Sequence, residues 1–394
     1  MKKRETVIVY AKRTAIGKLN GGLSSLSAPE LGAKLIADAV KTTGIKAETV
    51  DELVLGQVLT AGAGQAPARQ AGMGGGLPSS VCATTIGKVC GSGMKAVMMG
   101  DQMIRAGDAH IVLAGGQESM SNAPHLLPGS RKGYKFGSVE ALDSMLHDGL
   151  FDPYQKKPMG YLGEMCAKKY QFSRNAQDEF AYESYRKARK AVESGLFAKE
   201  IVPVEVVTKK KEGIIVELDE EPFSVDLDRL ASLRPAFTQE GSVTAGNASS
   251  INDGAALLLL MESEVAAKSG LNPIARIVSQ TSFAHDPAWF TTAPIGCIKK
   301  LLDKSQTKLQ EIDLFEINEA FSLVAMAAIE ELELSEEKVN PRGGAVSLGH
   351  PIGASGARII VTLLNSLAEI GGKKGLATLC IGGGEACGLM VEML

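Results

Sequence analysis

The chain has 394 residues, enough for two or three domains with large hydrophobic cores. Its formal net charge of −3 argues against a general nucleic-acid-binding protein. No apolar run approaches the length of a membrane span. Six scattered cysteines without a C-x-x-C pair favour reduced thiols over disulfides or zinc. We therefore expect a cytoplasmic protein that binds no metal, no nucleic acid and no membrane.

Residues 1–120 alternate strand-like and helix-like runs. The first strand-like run, 6–10, starts so early that we expect no signal or transit peptide. Ser27-Ala28-Pro29-Glu30 is typical of a helix start, and the runs 52–55 and 111–114 predict strands that end at glycines. Strands separated by helices indicate βαβ units in a mainly parallel sheet.

Residues 121–245 interrupt this pattern with prolines, single glycines and clustered lysines. One helix is predicted near 175–192, with apolar residues on one face. The lysines, among them Lys209, Lys210 and Lys211, could contact an anionic ligand, although a solvated face is the commoner explanation. We interpret this segment as an inserted loop domain.

From residue 246 the alternation of strands and helices resumes. The apolar run 255–261 predicts a strand buried on both faces. Further strands are predicted over 274–278, 314–317 and 376–380, and helices over 320–331 and 354–369.

An internal similarity links the two ends of the chain. Patterns of the first part recur in the same order at offsets of 262 to 267 residues: 50–56 at 312–318, Ser92-Gly93 at Ser355-Gly356, and Gly115-Gly116 at Gly382-Gly383. A duplicated α/β unit follows, whose strand-to-helix turns would meet near one site. The predicted organisation is a first half of residues 1–120 plus 246–272, an insertion of 121–245, and a second half of 273–394.

Cys90 lies where the first half turns from strand to helix. Residues 80–85 predict a strand and residues 94–99 a helix, so Cys90 comes just before a helix N-terminus. Free backbone N–H groups and the helix dipole lower a thiol pKa there, and the thiolate is the nucleophile. A buried structural cysteine is the alternative.

Three stretches of the second half carry complementary groups: Asn318-Glu319-Ala320-Phe321, the glycine-rich loop 343–356 with His350, and Cys380-Ile381-Gly382. A cysteine nucleophile needs a base, which His350 can supply. An amide and glycine-rich backbone can stabilise an anion, and a second thiol can act as acid or base. Structural explanations stay open for each: a core histidine, a helix cap at Asn318, and a small core residue at Cys380.

Taken together, these motifs resemble the thiolase family, and within it the acetyl-CoA acetyltransferase (acetoacetyl-CoA thiolase) type. The resemblance rests on four motifs in their order and spacing: Cys90-Gly91-Ser92-Gly93, Asn318-Glu319-Ala320-Phe321, Gly349-His350-Pro351 and Cys380-Ile381-Gly382-Gly383-Gly384. It implies an α/β fold of five layers, α-β-α-β-α, from two duplicated halves, with an inserted loop domain that covers coenzyme A. The implied reaction is the reversible condensation of two acetyl-CoA molecules to acetoacetyl-CoA and CoA, or thiolysis of a 3-ketoacyl-CoA.

The resemblance also implies residue roles in a ping-pong mechanism. Cys90 takes the acyl group as a thioester, and His350 activates it and, with a water held by Asn318, binds a thioester oxygen. Cys380 moves the α-proton, and the backbone N–H groups of Cys90 and Gly382 form a second oxyanion hole. The expected lining of the CoA and acyl pocket is Leu150, Met159, Phe237, Ala245, Ser249 and Phe321. Coenzyme A is substrate and product, no metal or redox cofactor is implied, and a homodimer or homotetramer is expected.

The chain departs from the family pattern at a few positions. Gly87 stands where Asn usually braces the nucleophile turn, Pro158 replaces a His near the acyl end of the pocket, and Phe223 replaces an Arg near the CoA nucleotide. Ser347 stands where Ala is more usual. These departures bear on acyl-chain length and on CoA contacts.

Other functions fit the sequence less well. A decarboxylating ketoacyl synthase pairs its cysteine with two histidines or with His and Asn, so the second cysteine, Cys380, argues against it. A dehydrogenase is disfavoured because Gly91-Ser92-Gly93 lacks the third glycine of the dinucleotide fingerprint. A catalytically degenerate acyl-CoA- or lipid-binding protein is the remaining alternative.

Overall fold

The computed structural model describes residues 4–207 and 213–394, so Lys209, Lys210 and Lys211 of the lysine cluster lie outside the described residues. The first half contains β1 (Thr6–Arg13), β2 (Gly17–Lys18), α1 (Ala28–Thr43), β3 (Glu52–Gly56), α2 (Pro67–Gly74), β4 (Cys82–Ile86), α3 (Ser92–Ala106) and β5 (Ile111–Ser119). The following segment contains β6 (His125–Leu126), β7 (Leu142–Asp143), β8 (Phe151–Asp152), β9 (Lys157–Pro158), α4 (Met159–Tyr170), α5 (Arg174–Glu193), β10 (Val204–Val207) and β11 (Gly213–Val216). The remainder contains β12 (Asn252–Glu262), α6 (Ser263–Lys268), β13 (Ala275–Ala284), α7 (Ala293–Ser305), β14 (Leu314–Ile317), α8 (Ser322–Leu332), α9 (Ala345–Leu348), α10 (Ser355–Ile370), β15 (Lys374–Ile381) and β16 (Glu385–Met393).

The two halves repeat one strand topology. In the first half the order is β4-β3-β5-β12-β1, and in the second it is β14-β15-β16-β13. Strand β12 lies antiparallel between β5 and β1, and β16 lies antiparallel between β15 and β13. The correspondence of β1, β12, β5 and β3 with β13, β16, β15 and β14 agrees with the duplication that the sequence offsets predict.

The predicted mainly parallel sheet is wrong. Within the described residues, β3 pairs in parallel with β4 and β5, and β14 with β15, whereas the other ladders of the main sheet are antiparallel. Strand β16 follows β15 after only the three glycines 382–384, and so short a connection can join only antiparallel neighbours. The length of this glycine link, which is visible in the sequence, carries this information.

Five layers result from the packing of helices on the two half-sheets. Helices α1 and α2 cover the outer face of the first half-sheet, and α7 and α8 cover the outer face of the second. Helices α3 and α10 lie between the half-sheets and share one core with both. The half-sheets are joined where Val7 and Ile8 of β1 pair with Arg276 and Ala275 of β13. This is the α-β-α-β-α architecture.

Buried β-strands supply most of this core. The run 255–261 lies in β12 and is buried on both faces, as the sequence predicts. Each leucine there contributes about 1.5–3 kcal/mol through burial. Strand β5, in contrast, does not end at Gly115-Gly116 but continues to Ser119, and both glycines are buried within it.

The segment between β5 and β12 packs on both halves. Its helix α5 matches the predicted helix and buries Ala181, Tyr185 and Ala188 against α8 and α9. Three two-stranded hairpins, β6–β7, β8–β9 and β10–β11, accompany it. The finer division into 1–120 with 246–272, 121–245 and 273–394 stays a prediction.

Candidate active site

The nucleophile turn, residues 87–91 with Cys90, connects β4 to α3, as the sequence predicts. Val89, directly before Cys90, has φ 45°, a region in which a β-branched residue is strained. The hydroxyl of Ser92 accepts the N–H of Lys88 at 2.8 Å and donates to the carbonyl of Val89 at 2.7 Å. Ser92 therefore braces the turn that carries Gly87 in place of the family's usual Asn.

The second half approaches this turn at backbone contact distance. A Cβ placed on Gly116 would lie 2.1 Å from the carbonyl oxygen of Gly353, so only glycine fits at this point. A Cβ on Gly91 would lie 2.3 Å from the side chain of Ile381, which comes directly after Cys380. The end of β15 thus packs on the nucleophile turn, and the pseudo-symmetric halves meet at one site, as expected.

Backbone of both halves acts on the Cys90 thiol. The N–H groups of Gly382 and of Cys90 itself each lower the pKa of this thiol. Burial outweighs both and, with help from the charge of Glu118, raises the pKa of the Cys90 thiol to about 11. The expectation that the helix N-terminus enriches the thiolate is therefore wrong for the substrate-free protein, because desolvation dominates, and a base is required.

Cys380 lies at the end of β15 and is fully buried. Burial, and secondarily the neighbouring Cys90, hold the pKa of its thiol well above the ordinary value. The effect of Cys90 on the pKa of the Cys380 thiol indicates that the two side chains lie near each other. In this resting arrangement both sulfurs carry their protons.

His350 presents one free nitrogen. Its Nδ1 is 2.6 Å from the hydroxyl of Ser355, which itself donates to the carbonyl of Pro351 at 2.9 Å. Because the Ser355 proton is already committed, Nδ1 must be the protonated nitrogen, and Nε2 carries a lone pair. Nε2 is buried and has no hydrogen-bond partner among the described residues. Burial, with a contribution from Arg358, lowers the pKa of His350 to about 3, so the ring is neutral.

Asn318 follows β14 and is fully buried. Its Oδ1 accepts from Nη2 of Arg358 at 3.4 Å, which leaves Nδ2 without a partner within residues 4–207 and 213–394. Glu316 holds the same Arg358 from the opposite side, with Oε2 3.6 Å from Nη1. A buried amide donor without a partner calls for a water or a ligand oxygen. Asn318 is therefore oriented as a donor, not as a helix cap.

The expected pocket residues fall into two groups. Leu150 packs in a small cluster with Cys90, Leu59, Met120 and Ile352. Of the others, Met159, Phe237 and Phe321 belong to the outer core of the second half.

Aromatic packing joins the second group. The rings of Phe237 and Phe321 meet edge to face at 6.2 Å, and the Met159 methyl lies 3.7 Å from where a Cβ of Gly382 would be. Ser249 is tied to the same region because its N–H donates to the Ala320 carbonyl at 3.0 Å. Ala245 is exposed at the surface.

Several polar residues around this site were not recognised as functional from the sequence. Glu118, Glu316 and Arg358 are charged but buried, and Ser355 fixes the tautomer of His350. The signal was available for Glu316, since a charge inside the apolar run 314–317 needs a partner. In the sequence, Ser355 indicates only the start of a helix, and no pattern around Glu118 predicts its contacts.

The positions that depart from the family pattern have ordinary surroundings. Ser347 exchanges a hydrogen bond with Ser184 of α5 at 2.8 Å, so the extra hydroxyl is used. Phe223 is half exposed, and the guanidinium of Arg189 lies 5.8 Å from its ring centre. Pro158 precedes α4.

The described residues offer neither a cluster of metal ligands nor a membrane-spanning helix. Residues 4–207 and 213–394 contain no group of three or more His, Cys, Asp or Glu side chains that could hold a metal ion. Over the same ranges, every helix is too short or too polar to cross a bilayer.

Comparison with known proteins gives a consistent picture. The family models "Thiolase, N-terminal domain" and "Thiolase, C-terminal domain" match residues 6–264 and 271–393. An acetyl-CoA acetyltransferase of Pseudomonas aeruginosa is 49% identical over 387 residues, which cover 98% of each chain. One from Schizosaccharomyces pombe is 46% identical over 393 residues, which cover 100% of both.

Solved structures agree in fold over the full length. The Bacillus anthracis acetyl-CoA acetyltransferase superimposes with a TM-score of 0.97 at 40% identity and covers 100% of this chain and 99% of that one. A thiolase of Ascaris suum in complex with coenzyme A gives 0.94 at 43% identity, over 99% and 100% of the two chains. Since both family models and full-length relatives match, the chain belongs to the thiolase family.

Proposed function

We propose that this protein is an acetyl-CoA acetyltransferase that works through an acyl thioester on Cys90. It joins two acetyl-CoA molecules to acetoacetyl-CoA and CoA, or runs the reverse thiolysis. Relatives of that name align over almost the entire chain. The observation that carries the assignment of residues is the contact of Cys90 with the Gly382 N–H of the other half, two residues from Cys380.

Acyl transfer to Cys90 begins with His350 as the base. The neutral ring offers the lone pair of Nε2, while Nδ1 is held by Ser355. With a thiol pKa near 11 and an imidazole pKa near 3, the proton stays on sulfur until attack begins. Transfer to Nε2 becomes favourable as the sulfur bonds to the thioester carbon and its charge moves to oxygen. The same proton then leaves with the departing thiolate of CoA.

The carbon–carbon bond forms in a second step. Cys380 first passes its thiol proton to Nε2 of His350, and the resulting thiolate removes a proton from the methyl group of the next acetyl-CoA. The enolate carbon attacks the acyl group on Cys90, and the expelled Cys90 thiolate takes the proton held by His350, so the balance is two acetyl-CoA to acetoacetyl-CoA plus CoA. The enolate oxygen is stabilised by the imidazolium of His350 and by a water held at Nδ2 of Asn318, whose orphaned buried donor supports this role.

A second oxyanion site serves the acyl group itself. The backbone N–H groups of Cys90 and Gly382 bind the oxygen of the thioester in this proposal, and their effect on the pKa of the Cys90 thiol supports it. Leu150 beside Cys90, and Met159, Phe237 and Phe321 in the second-half core, line the acyl and pantetheine space. Ala245 and Ser249 complete the expected CoA contacts.

Turnover tests the proposed function. Thiolysis of acetoacetyl-CoA is compared with that of a longer 3-ketoacyl-CoA, with CoA as the co-substrate. Turnover of acetoacetyl-CoA alone supports the acetyltransferase with a short pocket, and turnover of both indicates a broad-range thiolase. If neither substrate turns over but both bind, the degenerate acyl-CoA-binding protein replaces the proposal.

We further propose a homo-oligomer in the cytoplasm. The loop between β6 and β7 projects from the molecule, with Tyr134 exposed and Phe136 fully exposed. Apolar rings at the tip of a loop are typical of a contact between subunits. Light scattering should show a dimer or tetramer, and Phe136→Ser should reduce the larger assembly if the loop makes that contact. All six cysteines are free, which suits a reducing compartment.

A further inference from the structure

Glu118, at the end of β5, accepts three backbone hydrogen bonds. Its Oε2 accepts the N–H of Val58 at 2.9 Å and that of Gly353 at 2.9 Å, and its Oε1 accepts the N–H of Leu59 at 3.2 Å. Val58 and Leu59 belong to the loop after β3 in the first half. Gly353 belongs to the second half, three residues after His350. One fully buried carboxylate thus ties loops from both halves together.

The three backbone N–H groups need an acceptor that carries no proton of its own. A carboxylate offers about four lone-pair sites and no donor, whereas an amide would turn an N–H₂ group towards at least one of these N–H groups. Gly353 lies close to this carboxylate, because a Cβ on Gly353 would be 2.5 Å from Oε2 of Glu118. The turn from His350 to Gly353 therefore rests directly on this carboxylate.

We propose that Glu118 is a positioning residue for acyl transfer: its carboxylate clamps the turn His350–Gly353 to the first half and thereby fixes Nε2 of His350 against Cys90. This inference rests on the function proposed above. It assigns Glu118 a role distinct from those of Cys90, His350, Asn318 and Cys380, since it touches backbone and not substrate. Fixing a base within a few tenths of an ångström matters, because a misplacement of about 1 Å can cost a factor of about 100 in rate.

The charge of Glu118 opposes thiolate formation even as its geometry supports catalysis. The titratable groups facing it are Cys90 on the nucleophile turn and Asp253 on β12. Burial raises the pKa of Glu118 to about 7, against the lowering effect of the three N–H groups. Its negative charge in turn raises the pKa of Cys90. Removal of that charge should therefore make Cys90 easier to ionise, while removal of the clamp should slow turnover.

The variant Glu118→Gln of the full-length protein separates the effect of the charge on Cys90 from the effect of the clamp on turnover. We expect kcat for acetoacetyl-CoA thiolysis to fall by about 10- to 100-fold with KM within about twofold, as for a misplaced base. Alkylation of Cys90 by iodoacetamide, followed from pH 8 to about 12 by peptide mapping, should have its midpoint at the same pH as in the parent, near 11, or at a lower one. A purely structural defect would slow alkylation or raise that midpoint, and would overturn the proposal, as would a kcat within about threefold of the parent.

Two further variants keep the inference testable. Asp253→Asn is the matched control, because Asp253 of β12 is also a buried carboxylate, but it accepts the N–H and the hydroxyl of Ser121, which lies outside the second half. It should leave kcat within about twofold, and an equal loss in both variants would overturn the proposal. If Glu118→Gln does not fold, Glu118→Asp keeps the charge but shortens the clamp. It should lower kcat without moving the alkylation midpoint, and parental kcat would overturn the clamp.

The parent protein distinguishes this inference from the proposed function. If the parent does not turn over acetoacetyl-CoA, both the acetyltransferase assignment and the proposed role of Glu118 fail. If the parent turns over and Glu118→Gln matches it, only the role of Glu118 fails.

Discussion

At the residue scale, the site is defined by polar atoms that the protein leaves free. Nε2 of His350 and Nδ2 of Asn318 are both buried and lack a hydrogen-bond partner among the described residues. Each is aimed by a contact on its other side, with Ser355 for the imidazole and Arg358 for the amide. Unpaired buried groups cost free energy, so a lone pair and a donor left free on two residues of the proposed site support a ligand-binding role.

Replacing Ser355 tests the tautomer directly. Without its hydroxyl, Nδ1 loses its partner and the proton can shift to Nε2, which abolishes the base. Ser355→Ala should lower kcat for thiolysis by about 10- to 100-fold, in the range of general acid–base contributions. Ser366→Ala, also buried on α10, is the control and should keep the parental rate. A Ser355→Ala rate within about twofold of the parent would contradict the assigned tautomer.

His350 also makes stability depend on pH. Its pKa is about 3 in the folded protein, below the value of about 6.5 for an exposed histidine. The unfolded chain therefore takes up this proton first, so the contribution to stability is complete above about pH 6.5 and is lost as the pH falls towards 3. His350→Gln should lose less stability than the parent between pH 7.5 and 5 in urea unfolding. His147→Gln, at an exposed position, should behave like the parent, and identical curves for all three proteins would contradict this account.

Cys380 should act only after the acyl enzyme forms. Cys380→Ser keeps a group of similar size but a much weaker base, so acylation of Cys90 should persist. Exchange of the methyl protons of acetyl-CoA with deuterated water, followed by NMR, should fall to a small fraction of the parental rate. Normal exchange would remove Cys380 from the role of base.

At the scale of elements, the sequence predicts most helices and strands because periodicity and caps are local. The capping box at Ser27 and Glu30 marks the start of α1, and the Glu30 carboxylate accepts the Ser27 N–H at 2.8 Å. The parallel-sheet prediction failed because pairing partners are not local: β16 returns beside β15 through a glycine turn. The pKa prediction for Cys90 failed for a related reason, since burial depends on what packs over the turn.

A close approach of the two halves, at Gly116 of β5, gives a test. An alanine there would place Cβ 2.1 Å from the carbonyl oxygen of Gly353 and push the His350 turn away. Gly116→Ala should cost about 1–3 kcal/mol of unfolding free energy, as overpacking does, and should also lower kcat. Gly163→Ala is the control within a helix: its added Cβ would lie 3.6 Å from the nearest atoms, so this variant should keep the parental stability. Parental stability and rate in Gly116→Ala would contradict the close contact of the halves.

At the scale of the whole molecule, the site exists only because two similar halves meet. Cys90 comes from the first half, and His350, Asn318 and Cys380 come from the second. The near-equal sequence offsets predict this meeting, since equivalent strand ends approach one another across a pseudo-symmetric core. Contacts that bridge the halves through backbone, such as Glu118 to Gly353, have no sequence pattern of their own and need the fold.

The central claim is that Cys90 carries the acyl group, and intact-mass spectrometry of the protein mixed with acetyl-CoA tests it most directly. The parent and Cys380→Ser should each gain one acetyl group, which peptide mapping locates at Cys90, and Cys90→Ala should gain none. An acetyl adduct that persists in Cys90→Ala, or its absence from a parent that turns over acetoacetyl-CoA, would contradict the account.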